Sequence, residues 1–220
     1  MPNPTKQALF EQFARVGKAA ASASRLEILD LLAQGEKSVE TLAHQAGLSV
    51  KNASAHLRTL RAASLVETRR DGTYVHYRLA DPAVHDLLRC LQDIAARQLA
   101  EVRELVRDFF RDPEGLEPLS PEELAERLER GDVTVLDVRP EDEFRSGHIP
   151  GALSLPLARL RTELERVPTG LEVIAYCRGP YCVLAMEAAE LLRRHGVRAR
   201  RLEVGLPDWG RGGLPVEVGA

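Results

Sequence analysis

Val173-Ile174-Ala175-Tyr176-Cys177-Arg178-Gly179-Pro180-Tyr181-Cys182 sets the architecture of the second half of this 220-residue chain. A short apolar run with strand character ends on a cysteine. A Gly-Pro turn follows at once, then a helical pattern from Val183 to His195 that stops at Gly196. Strand, tight turn and helix put the Cys177 sulfur at the carboxyl end of a strand and beneath a helix N-terminus. Loop N–H groups and the positive end of the helix dipole both favour thiolate over thiol there. The thiolate is the form that attacks. A structural cysteine packed in its strand is the plain alternative.

Working outward, Asp137-Val138-Arg139 closes another apolar strand, Val133 to Leu136. Glu143-Phe144 and Gly147-His148-Ile149-Pro150-Gly151-Ala152 follow, and Gly205-Leu206-Pro207-Asp208-Trp209 lies near the end. In order, and with Cys177 to Cys182, these segments resemble the single-domain rhodanese (sulfurtransferase) family over roughly residues 117 to 220. The resemblance implies a small α/β domain with a parallel sheet. It also implies a persulfide on Cys177, its outer sulfur cradled by backbone amides of the segment Arg178 to Cys182. The candidate catalytic set is therefore Cys177, Arg178, Gly179, Pro180, Tyr181 and Cys182, with Arg178 placed to steer anionic donors. A cysteine phosphatase would need Cys-x5-Arg to clamp an oxyanion, and Val183 stands at that place. Asp137 and Arg139 suit a structural role, because an Asp at a strand end readily pairs with an arginine. Cys182 is near enough in sequence to accept sulfur or to form a disulfide with Cys177, and equally suits a half-buried first-turn position; loop geometry decides.

The chain is long enough for one large domain or two small ones. Charge favours two: residues 1–80 carry a net +4, residues 81–111 a net −1 and residues 112–220 a net −6. A basic front and an acidic back suit different partners. Three unevenly spaced cysteines make no disulfide framework and read as thiols of a reducing compartment. No apolar run approaches the roughly 20 residues that span a bilayer, and Ala19–Ala23 is too short for a signal peptide's core. A soluble, cytoplasmic protein with no membrane partner is expected.

From Ser24 to Leu79 the pattern is helix, helix, helix, hairpin. Ser24 is placed to cap a helix with Leu26, Ile28, Leu29, Leu31 and Leu32 as its apolar positions, ending before Gly35. Ser38 opens a second helix over Leu42, Ala43 and Ala46, and Ser49 a third with Ala53, Leu57 and Leu60 on its inner face. Strand-like alternation then surrounds Asp71-Gly72, a strong hairpin signal. Helices around a Gly turn followed by a two-stranded wing make a winged helix-turn-helix. Leu48-Ser49-Val50-Lys51-Asn52-Ala53-Ser54-Ala55-His56-Leu57-Arg58-Thr59-Leu60, with Leu65-Val66 and the wing, resembles ArsR-type bacterial repressors over about residues 8 to 105.

Residues 49–78 hold six basic against two acidic side chains, a footprint suited to phosphates. The outward positions of the third helix are Lys51, Asn52, Ser54, Ala55 and Arg58, with His56 at the edge. Asn52 suits adenine and Arg58 guanine or phosphate; Arg69, Arg70 and Arg78 on the wing suit the DNA backbone or a minor groove. A solvated helix face is the plain alternative for this basic strip, and packing for His56 and His76.

Asp81-Pro82 starts a further helix. Val84, Leu87, Leu88, Leu91, Ile94, Leu99, Val102, Leu105 and Phe109 recur at three- and four-residue spacing as far as Arg111, which predicts one helix about 45 Å long. So long a helix beside a small domain packs on a partner, here a second copy; in ArsR-type repressors it is the dimer contact. Pro113, Gly115 and Pro118 mark a linker. The expected domains are 1–111 for DNA binding and dimerisation, 112–118 for the linker, and 119–220 for the rhodanese-like part. ArsR-type repressors often sense metals through cysteine pairs or Asp/His sets. The segment Ser38–Gly47 has no cysteine, and His85 with Asp81 has no second histidine beyond it, short of the roughly four ligands such a site needs. No metal or cofactor is expected. Cys90, beside Leu87, Leu91 and Ile94, reads as a packed interface residue, or more sharply as a sulfur acceptor or half of an intersubunit disulfide.

Together these features predict a homodimeric regulator of transcription that binds a duplex DNA operator. Its rhodanese domain would form a persulfide at Cys177, sensing reactive sulfur or passing it from a sulfane sulfur donor to a thiol acceptor. Two alternatives stand beside it: a sulfurtransferase whose front domain serves only dimerisation, and a repressor whose rhodanese fold binds a ligand without turnover.

Overall fold

The computed structural model describes residues 3–110 and 117–219, so most of the expected linker 112–118 lies outside the described residues. The chain divides between Ile94 and Ala95 into two units.

The first unit opens on a helix that sequence patterning did not single out, α1 (Pro4–Ala20). Asn3 caps it, its side-chain oxygen accepting from the N–H groups of Thr5 and Lys6 at 2.9 and 3.3 Å. The next helix, α2 (Ala23–Ala33), starts one residue before Ser24, with Ser22 at the cap position. Ser24 is therefore helical rather than the cap. The Arg25 guanidinium turns back instead, donating to the carbonyls of Lys18, Ala19 and Ala21. A cation on the orphan carbonyls of a helix end satisfies both its hydrogen bonding and its dipole.

Lys37–Ser38 forms a short strand β1, and α3 (Val39–Gln45) and α4 (Val50–Ala62) follow. Ser38 and Ser49 cap them, each accepting a backbone N–H three residues on at 3.2 Å. Ala53, Leu57 and Leu60 of α4 are fully buried, and the two leucines share a core with Ile28, Leu29, Leu32 and Leu42. The strands β2 (Val66–Asp71) and β3 (Tyr74–Leu79) pair antiparallel, with β1 on the other edge of β3. Asp71 pairs with Tyr74, so the turn is Gly72-Thr73, one residue beyond Asp71-Gly72. Gly72 holds the left-handed φ of 58° that the turn demands.

Asp81 caps α5 (Ala83–Gln98), accepting from the Ala83 N–H at 2.8 Å. The single long helix is two: α6 (Ala100–Phe110) starts after a break at Leu99. Helical hydrogen bonds still run from Leu99 N–H to Ala95 and from Arg103 N–H to Leu99, while the Arg103 side chain takes the Arg97 carbonyl at 2.8 Å. A side chain inserted into the backbone ladder is a recognised cause of such a break.

The remainder of the second unit is a parallel four-stranded sheet of order β5-β4-β6-β7, here β4 (Val133–Asp137), β5 (Leu153–Ser154), β6 (Glu172–Tyr176) and β7 (Ala199–Arg201). Its helices are α7 (Pro121–Arg130), α8 (Glu141–Ser146), α9 (Leu157–Leu160), α10 (Val183–Arg194) and α11 (Leu206–Arg211). A parallel sheet is covered on both faces, and the alternation along β6 shows it. Val173, Ala175 and Cys177 join Ala185, Ala188 and Leu192 of α10, whereas Ile174 and Tyr176 join Leu119, Leu124 and Trp209. This is why the strand reads as an unbroken apolar run. Among the described residues, no helix is long and apolar enough to cross a membrane.

Candidate functional site

The loop after β6 begins with Cys177, buried at 2 % exposure, and ends with Cys182 at the cap position of α10. Between them Gly179-Pro180-Tyr181-Cys182 makes a turn, closed by the Cys182 N–H donating to the Gly179 carbonyl at 3.1 Å. Pro180 holds the turn position its ring is pre-set for. This winding folds the two cysteines onto one another. The Cys177 thiol faces the Cys182 carbonyl at 3.5 Å, and the two sulfurs share a hydrogen bond.

Backbone N–H groups line both sulfurs, those of Ala185 and Gly179 at Cys177 and those of Arg178 and Leu184 at Cys182. They do not act equally. Burial pushes the Cys177 thiol well up, and the neighbouring Cys182 charge adds to it. The hydrogen bond from Cys177 pulls half-buried Cys182 down to about 7, helped by the two N–H groups and the Arg178 charge. The loop thus favours the thiolate at Cys182 rather than at Cys177. Desolvation is what overrides the N–H groups at Cys177.

Arg178 does not reach out toward solvent. Its guanidinium donates to both oxygens of fully buried Glu143 at 2.7 to 3.2 Å. Glu143 thus offsets part of the charge that Arg178 brings to the loop. Tyr181 is the exposed residue of the loop, its ring edge-on to Phe110 of α6 with centroids 6.0 Å apart. Beneath the loop lies Gly205, so close that a Cβ there would fall on the Arg178 carbonyl and the Gly179 nitrogen.

Asp137 and Arg139 form a fully buried pair, with Arg139 donating to both carboxylate oxygens and to the Gly147 carbonyl at 2.7 Å. Tyr176 lies against this guanidinium, and its hydroxyl accepts from the Ile149 N–H at 3.2 Å. The pair thus ties the end of β4 to the Gly147-His148-Ile149 segment.

On the first unit, Lys51, Asn52, Ala55 and Arg58 are exposed along α4, opposite its buried face, while Ser54 and His56 are half-buried. Arg69, Arg70 and Arg78 are exposed on the wing. Arg69 is held by Glu36 at 2.6 Å and Arg78 by Glu67, with His76 3.9 Å from Glu36. Cys90 is exposed on α5.

The chain matches two family models, "Bacterial regulatory protein, arsR family" over residues 22–68 and "Rhodanese-like domain" over residues 120–211. It is 44% identical over 215 residues to an HTH-type transcriptional regulator of Mycobacterium tuberculosis, covering 98% of this chain and 94% of the relative. The chain belongs to the ArsR-family regulators that carry a C-terminal rhodanese-like domain. Shorter likenesses follow the two halves. A sulfurtransferase of Allochromatium vinosum is 32% identical over 100 residues, 44% of this chain and 92% of the relative. The solution structure of a homodimeric winged helix-turn-helix DNA-binding domain from Mycobacterium bovis is 46% identical, with a TM-score of 0.43, over 46% of this chain and 94% of that one.

Three residues of this ArsR-family regulator that bear on its sites escaped sequence reasoning. Glu143 and Gly205 lie in the rhodanese-like motif segments, but their partner, the Arg178 backbone and side chain, is 35 and 27 residues away in sequence. Glu36, on the loop before β1, meets Arg69 across 33 residues. No local spacing announces such pairs. Among the described residues, no three His, Cys, Asp or Glu side chains gather as metal ligands would.

Proposed function

We propose that this regulator is a cytoplasmic homodimer that binds duplex operator DNA through residues 1–111 and takes up sulfane sulfur on Cys177 through residues 119–220, with 112–118 as linker. The hydrogen-bonded thiol pair in an N–H-lined loop carries this reading. A buried thiol beside a half-exposed thiolate has its base at hand. As a donor such as thiosulfate arrives, the Cys177 proton passes along the hydrogen bond to Cys182. The Cys177 thiolate attacks the outer sulfur of thiosulfate, the S–S bond of the donor breaks, and sulfite leaves with the electron pair. Cys177 is left as a persulfide anion, stabilised by the Ala185 and Gly179 N–H groups, until a thiol acceptor removes the outer sulfur. The exposed polar face of α4 and the wing arginines support DNA contact. The homodimer described for the Mycobacterium bovis domain supports dimerisation, as do Leu91 and Ile94, apolar yet exposed on α5.

Thiosulfate- or polysulfide-dependent sulfur transfer to a thiol tests the chemistry. Cys177→Ser is expected to abolish transfer and the mass gain of one sulfur atom, and wild-type-like transfer in that variant overturns the assignment. An operator titration with and without polysulfide tests sensing. Coupling of the usual size, about 1–3 kcal/mol, shifts affinity roughly 5- to 150-fold, with loaded protein binding more weakly. Identical affinities would leave two domains on one chain with no switch between them.

A further inference from the structure

A persulfide on Cys177 has a second thiol, that of Cys182, within hydrogen-bond reach. We propose that Cys182 is the resolving thiol of this site: it attacks the inner sulfur of the Cys177 persulfide, expels the outer sulfur as hydrosulfide and leaves a Cys177–Cys182 disulfide. The inference rests on the persulfide reading above and gives that sulfur a fate inside the chain.

The geometry carries it. The Gly179–Cys182 turn brings the Cys182 carbonyl to 3.5 Å from the Cys177 sulfur and the two sulfurs into hydrogen-bond contact. A disulfide needs the two sulfurs about 2.05 Å apart, and rotation of the two cysteine side chains is the motion that closes the contact. Cys182 is the more exposed of the two, so the proton it took from Cys177 has a route to water. Its sulfur also faces two N–H groups and the Arg178 charge, which return it to the thiolate, the attacking form, near neutral pH.

The step balances. A Cys182 thiolate and Cys177–S–SH give Cys177–S–S–Cys182 and HS⁻. The bond between Cys177 and the outer sulfur breaks, that sulfur takes the electron pair and is reduced, and the two cysteines are oxidised together. The donor's sulfane sulfur is the sole oxidant. Two small thiols reduce the disulfide and restore the pair. The domain would thus convert a labile persulfide into a lasting oxidised state, reducing sulfane sulfur to sulfide as it does so.

The full-length protein, reduced and freed of small thiols, is incubated with thiosulfate, which contains no sulfide of its own. Released hydrosulfide is trapped with a bromobimane, and intact mass is read after alkylation. Wild type is expected to release one equivalent of hydrosulfide and to end two hydrogens lighter, with peptide mapping placing the disulfide between Cys177 and Cys182. Cys182→Ser and Cys182→Ala, left long enough to load, are expected to keep the extra sulfur and release none. A wild-type protein that holds a stable persulfide, forms no disulfide and releases no hydrosulfide overturns the resolving role and leaves the persulfide reading standing. If neither wild type nor the Cys182 variants take up sulfur from thiosulfate or polysulfide, the persulfide reading itself falls.

Discussion

Arg178 and Glu143 form a two-pronged ion pair in which the carboxylate is fully buried, so the residue after the nucleophile fastens the loop to α8. Removing one partner strands the other. Truncating Arg178 to Ala leaves the Glu143 carboxylate without its guanidinium in the interior, at a cost of about 3–5 kcal/mol for a buried pair. Denaturant unfolding is the measurement. A loss below about 1 kcal/mol would assign the pair to the screened surface class.

Uptake of sulfur is expected to follow the charge on Cys182. That thiol is pulled down to about 7, so the loading rate rises with pH through that value as the thiolate base forms, and falls below it as the base is protonated. In Cys182→Ser the base is gone, and burial holds the Cys177 thiol high, so the rising limb moves to more alkaline pH. Stopped-flow loading across the pH range reads both limbs; superimposable profiles would refute the base role.

Gly205→Ala tests the floor of the site. Its Cβ would fall on the Arg178 carbonyl, and the loop has to move. Displacing a reacting group by about 1 Å costs on the order of a hundredfold in rate. Loading is expected to drop by that much while operator binding by the first unit is unchanged. Full loading in this variant would show that the loop accommodates the methyl group freely.

On the wing, Glu36 masks Arg69. Arg58→Ala and Arg70→Ala are each expected to weaken operator binding and to lower the slope of log affinity against log salt by about 1, as loss of one phosphate contact does. Glu36→Ala removes the shorter Arg69 ion pair, leaving the one to Asp71 at 3.4 Å, and is expected to tighten binding and steepen that slope. Titrations at several salt concentrations separate these outcomes, and a wing contact is excluded if all three variants keep the wild-type slope.

Local chemistry made much of the fold legible. Ser38, Ser49 and Asp81 announced helix starts because a cap acts within three residues. The strand ending on Cys177 showed because a parallel strand buried on both faces reads as continuous apolar sequence. Helix α1 carries a start in Asn3-Pro4 but no inward stripe behind it: Leu9, Phe10 and Phe13 are exposed within the chain. The break at Leu99 involves no Gly or Pro, only the Arg103 side chain. At the site, the cysteine pair was visible as spacing, but the order of their acidities was not, since burial is a property of the whole packed layer. The candidate DNA face on α4 was legible because its opposite face, Ala53, Leu57 and Leu60, is so plainly interior.

The alternation along β6 has a consequence for how such chains can vary in length. Cys177 stands on the same side as Val173 and Ala175, toward α10. Removing or adding one residue anywhere in that strand would turn the sulfur to the side of Tyr176 and Trp209, away from the Gly179 and Ala185 amides. Exchanges among apolar residues at these positions cost only packing, whereas a single-residue indel abolishes the chemistry and leaves a sheet that still looks sound. The parity of a five-residue strand, more than the identity of its members, is the address of the thiol.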